Sequence, residues 1–65
     1  MQVRLIIIKS GVQVFEYPKK ITMREARALA KRYAKKKGVL RVCAIWFDGW
    51  HDRRIEIFDK DKKNK

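Results

Sequence analysis

Hydrophobic and polar positions change their spacing twice along this chain. Over positions 3–8, apolar residues follow one another with only Arg4 intervening, and over 12–17 Val12, Val14, Phe15 and Tyr17 are interleaved with Gln13 and Glu16. Both runs are short and rich in β-branched and aromatic residues, so they read as strands, with Ser10-Gly11 between them as a hairpin turn. A two-residue turn would set Lys9 against Val12, Ile7 against Val14, Ile6 against Phe15, Leu5 against Glu16 and Arg4 against Tyr17. Pro18 has no backbone N–H to give a ladder and ends the second strand.

The spacing then becomes helical. Met23, Ala26, Leu29, Ala30, Tyr33 and Ala34 fall on one side of a helix, and Arg24, Arg27, Lys31 and Lys35 on the other, flanked by Arg32 and Lys36. Thr22 and Glu25 have the spacing of a capping box, and Ile21 is placed for a hydrophobic staple to Ala26. A helix is expected over 23–37, because Ala and Leu favour it, the lysines at 35–37 complement its negative end and Gly38 can take the left-handed position that follows it. The pattern returns to strands over 39–47 and 53–59, joined by the loop 48–52.

The expected fold is therefore α+β: a single ββαββ domain over 1–59, with strands at 2–9, 12–17, 39–47 and 53–59. These form a four-stranded, largely antiparallel sheet with one helix packed on one face. Positions 60–65 hold no apolar residue and are expected to be a disordered basic tail. The order of elements resembles that of β-grasp domains, among them the immunoglobulin-binding domains of streptococcal surface proteins, although no sequence motif connects them. Layout alone does not set function. Small phage-encoded antitoxins are also similar in layout, and the residues that carry that resemblance are Ile21-Thr22-Met23 at the helix start.

Length narrows the possibilities. A chain of 65 residues makes one small domain that buries only about 60% of the surface its unfolded form exposes. Cys43 is the single cysteine, so neither an intrachain disulfide nor a cysteine-based zinc site can staple it, and oligomerisation is the remaining route to extra burial. The start of the chain has no signal-peptide pattern and no run approaches a transmembrane span, so a cytoplasmic protein with no membrane partner is expected.

Charge changes the picture more. The formal net charge is +11, and nine of the eighteen basic residues lie within 19–37, where Glu25 is the only acid. Four more basic residues lie within 60–65; everywhere else five basic residues face five acids. A surplus held on one element is a candidate footprint for a polyanion. A rigid row of Arg and Lys about one helical turn apart can neutralise successive phosphates without reading bases, so Arg24, Arg27, Lys31, Arg32, Lys35 and Lys36 are the candidate nucleic-acid contacts. An acidic protein would be drawn by the same charges. The ordinary alternative, a solvated helix face, is weakened by the ratio of nine cations to one acid.

One helix cannot cover both faces of such a sheet, yet apolar residues occur at both parities of the strands. If the helix takes Val3, Leu5, Ile7, Val12 and Val14, the open face presents Arg4, Ile6, Ile8, Phe15 and Tyr17. Aliphatics beside aromatics favour a buried homodimer interface over base stacking, and Ile6, Ile8, Phe15, Tyr17 and Trp50 are its candidate residues.

Chemistry is sparse. His51 lies between Asp48 and Asp52, but with no second histidine and no Ser or Cys nucleophile motif, neither a metal site, a cofactor nor an enzyme is expected. If catalysis occurs, nuclease chemistry by His51 with Arg53 or Arg54 is the form to test. Trp50 is either an exposed contact or a lid on the core, Trp46 can belong to the core, and Cys43 reads as a small buried hydrophobe. The expected function is that of a small, basic, non-enzymatic protein, as a homodimer, binding nucleic-acid backbone through its helix. The alternative is an interaction module of the phage-inhibitor or antitoxin kind docking on an acidic partner protein.

Overall fold

The computed structural model describes residues 1–61. Its elements are β1 (Gln2–Lys9), β2 (Gln13–Glu16), β3 (Ile21–Thr22), α1 (Met23–Ala34), β4 (Val39–Phe47) and β5 (Asp52–Asp59). The sheet runs in the order β2-β1-β4-β5, β3 also pairs with β1, and every pairing is antiparallel. The domain is thus α+β with one helix on an antiparallel sheet. It has five strands rather than the four expected. Because β3 and β4 are both antiparallel to β1, α1 links two strands that run in the same direction.

The extra strand follows from Pro18. The Tyr17 N–H still donates to the Leu5 carbonyl at 2.8 Å, but the ladder then breaks and resumes where Val3 faces Ile21. From there the capping box starts the helix as expected: the Glu25 N–H donates to Thr22 Oγ1 at 3.2 Å and the Thr22 N–H to Glu25 Oε1 at 3.0 Å. Ile21 and Ala26 are both buried in the core.

The helix ends at Ala34, a turn earlier than expected. Lys35 and Lys36 donate to the carbonyls of Arg32 and Tyr33 in tighter i to i−3 bonds, and Gly38, at φ 87°, accepts from the Ser10 N–H at 2.7 Å. The strand beneath sets this length. Twelve helical residues span about 18 Å, close to the roughly 20 Å that β1 covers from Val3 to Lys9. A longer helix would carry the chain past the point where Val39 must pair with Lys9.

The first hairpin departs from its expected register. Ile6 faces Glu16, Ile7 faces Phe15, Ile8 faces Val14 and Lys9 faces Gln13, so the loop holds three residues, not two. Gly11 and Val12 both have positive φ, 79° and 60°. The one-residue slip reverses the faces of β2: Phe15 and Tyr17 share the helix side with Ile7 and Leu5, while Val14 moves to the open side. The physical gain is Tyr17, which packs against the core. Val14 would have gained little there, because α1 makes no contact with β2.

The core comprises Val3, Leu5, Ile7, Ile21, Ala26, Ala30, Val39, Val42 and Ala44, edged by Met23, Leu29, Tyr33, Trp46 and others. In the second hairpin Ala44 faces Ile55 and Val42 faces Phe58, with Ile57 as an extra residue between them. That bulge sets Ile57 and Phe58 together beside the core. Lys60 and Asp61 lie in a turn, where the Lys60 N–H donates to the Leu40 carbonyl at 2.8 Å and the Asp61 N–H to Asp59 Oδ1 at 2.9 Å. The rest of the expected tail, 62–65, lies outside the described residues.

Val12 is the backbone's strained point. A β-branched residue in left-handed space costs about 1–2 kcal/mol, which Asn largely avoids. Val12 is 92% exposed and gives up no packing. Val12→Asn is expected to raise the free energy of unfolding by about 1 kcal/mol in urea titration.

Candidate nucleic-acid interface

The side chains along α1 divide as the helical spacing dictates. Ala26 and Ala30 are fully buried, Met23, Leu29, Tyr33 and Ala34 are partly buried, and Arg24, Arg27, Lys31, Arg32, Lys35 and Lys36 are all exposed. Four of the six cations lie within the helix. Lys35 is its C-cap and Lys36 lies in the turn beyond, with Nζ 5.1 Å from the centroid of the Tyr33 ring. From Arg24 to Lys35 the row extends about 16 Å.

Three arginines outside the helix lie against carboxylates. Arg4 forms two hydrogen bonds to Glu16, at 2.9 and 3.0 Å; Arg53 Nε is 2.6 Å from Asp48 Oδ2; Arg41 lies 3.8 Å from Glu56 and 3.7 Å from Asp59. Arg4 holds the Glu16 carboxyl below its ordinary range, and Glu16 in turn raises the Arg4 guanidinium. None of the six helix cations takes part in an ion pair among the described residues. Glu25, the one acid of the segment, is committed to the cap. The Thr22 N–H, then the Thr22 hydroxyl, hold its carboxyl below the usual range.

Hollows border the cation row on either side of Arg27 and Lys31. Arg27 and Lys31 line a groove between α1 and β5 together with Ala30, Ala34, Ile57 and Phe58. With Arg24 and Ala28 they also line a shallow depression on the outer side of the helix. The groove was not foreseen from the sequence, because it depends on the bulge at Ile57.

The candidate interface set is not brought together. Ile6 and Ile8 lie half-buried on the open face, Phe15 and Tyr17 lie on the helix side, and Trp50 stands at a loop tip, 85% exposed. The open face instead gathers Ile6, Ile8, Val14, Ile45 and Phe47 around the buried Cys43. Arg54 donates towards the Cys43 sulfur at 3.8 Å. Trp46 sits on the helix side at the edge of the core.

The loop at 48–52 is organised by one carboxylate. Asp48 Oδ1 accepts from the N–H groups of Trp50 and His51, both at 2.8 Å, and Oδ2 takes Arg53. These bonds, the His51 N–H foremost, then Arg53 and Trp50, hold the Asp48 carboxyl below its ordinary range. Both oxygens are therefore occupied in holding the turn. Among the described residues no group of three or more His, Cys, Asp or Glu side chains is placed to hold a metal ion, and no helix is long and apolar enough to cross a membrane.

No protein-family model matches the chain, and neither does any curated protein or solved structure.

Because the folded carboxyl of Asp48 titrates lower than the unfolded one, its hold on the loop is complete above the ordinary carboxylate range and lost as pH falls through the lowered value. The side-chain carboxyl resonance of Asp48 is expected to titrate below that of a free aspartate, and the Trp50 amide resonance to move with it. In Asp48→Asn the Trp50 amide resonance should already be displaced at neutral pH.

Proposed function

We propose that the chain is a small, basic, non-enzymatic binding protein that contacts nucleic-acid backbone through Arg24, Arg27, Lys31, Arg32, Lys35 and Lys36. The observation that carries this reading is the contrast in pairing. Arg4, Arg41 and Arg53 have carboxylates within ion-pair distance, whereas none of the six exposed helix cations has one among the described residues. Such a row releases counterions when it meets phosphates and gives binding with little dependence on base sequence.

The protein is further proposed to pair through the open face of its sheet, using Ile6, Ile8, Val14, Ile45 and Phe47. That arrangement leaves both helices outward. The second reading, an interaction module docking on an acidic protein, is favoured by Trp50. This tryptophan is exposed on a turn that Asp48 holds in shape, and such pre-ordered aromatics are common anchors of protein interfaces.

Fluorescence anisotropy with labelled oligonucleotides across salt tests the first reading. Arg24→Gln with Lys35→Gln is expected to lower the slope of log K against log salt by about 1.4 on single strands and 1.8 on duplex. Affinity indifferent to salt would remove the backbone reading. A partner that is still captured after nuclease treatment would favour the interaction module. Light scattering is expected to give twice the 7.8 kDa chain mass; a monomer at all concentrations would remove the open-face dimer.

A further inference from the structure

Resting on the reading of the helix face above, we propose that the groove between α1 and β5 seats one unpaired base of a single-stranded nucleic acid whose phosphates lie along Arg24, Arg27 and Lys31. The groove has a volume of about 440 Å³, with an apolar lining from Ala30, Ala34, Ile57 and Phe58 and two cations, Arg27 and Lys31. No acid lines it. Because the same two cations line the depression that also contains Arg24, the groove opens directly beside the phosphate track.

This combination suits a nucleotide of a single strand. Its base is flat and largely apolar on both faces, and its phosphate is covalently tied a short distance away. Phe58 provides an aromatic side chain for stacking, and the alanines on the helix side leave room for the base. A duplex keeps its bases stacked and paired inside, so it could touch the cations but could not fill the groove. The bulge at Ile57 gives the groove its character, since a regular strand would turn either Ile57 or Phe58 to the opposite face. The cations alone would bind either form of nucleic acid; the adjoining groove supplies a preference.

The test compares a labelled oligothymidine with a duplex of the same length at one salt concentration. The parent protein is expected to bind the single strand more tightly. Ala34→Leu fills the groove with a helix-favouring residue and alters no charge; it should weaken single-strand binding about tenfold or more and leave duplex binding unchanged. Phe58→Leu keeps apolar bulk without the ring and should weaken single-strand binding in the same selective way, which covers the case in which Ala34→Leu disturbs folding as judged by circular dichroism. Single-strand affinity unchanged in both folded variants, or single-strand and duplex affinities reduced equally, would overturn the groove site and leave the helix-face reading standing. That pattern is also the one expected if the groove takes an acidic peptide instead. Failure of the parent to bind either oligonucleotide would overturn both readings.

Discussion

The contact of Ala26 and Ala30 with the sheet is the constraint on which the rest of this molecule depends. Both are essentially inaccessible to solvent, and neither has a side chain long enough to hold the helix away from Val3, Leu5, Ile7, Val42 and Ala44. A layer spacing set by methyl groups is what allows so short a chain to close a core without an intrachain disulfide. It also fixes the rotation of the helix about its axis. Once residues 26 and 30 face the sheet, 24, 27 and 31 can only face outward or to the side. The arrangement of cations is therefore a consequence of packing: the helix cannot roll to hide its charges without lifting its alanines from the core.

Electrostatics divides the molecule into two parts with different logic. On the strands and the second hairpin loop, Arg4, Arg41 and Arg53 each lie against carboxylates, and these exposed pairs contribute little stability individually. Outside 19–37 and 60–65, the strands and their loops carry five basic residues against five acids and so no net charge. On the helix the like charges repel one another and work against folding, a burden that a solvated surface with alternating signs would avoid. A sequence under no demand except solubility could interleave acids on that face. The absence of such relief links the fold to the proposed binding role more directly than net charge does.

The parts legible in the sequence were those governed by neighbours in the chain. The capping box of Thr22 and Glu25, the inward and outward sides of α1, the strands at 39–47 and 53–59, and the burial of Cys43 all rest on residues a few positions apart. The loop length of the first hairpin is not legible in this way, because it is decided by the conformation of Val12, and valine is a residue that local rules exclude from left-handed space. From that one residue followed the wrong side for Phe15 and Tyr17. The end of α1 was misjudged for a different reason: the lysines at 35–37 would tolerate helix, but the distance across β1 does not call for it. The groove beside β5 was illegible because it arises from a bulge specified by pairing between strands, and no single stretch of sequence encodes it.

The same bulge also affects how the molecule behaves in a crowded solution. β5 is an outermost strand, and a regular ladder of unpaired N–H and C=O groups there would be a template on which further chains could add. The extra residue at Ile57 interrupts that regularity, and charged side chains at Arg53, Arg54, Glu56 and Asp59 line the strand. At the opposite margin β2 is only four residues long and is followed by a proline. Both margins of the folded sheet are thus poor templates for the addition of further strands, so its growth into fibres is discouraged at either edge.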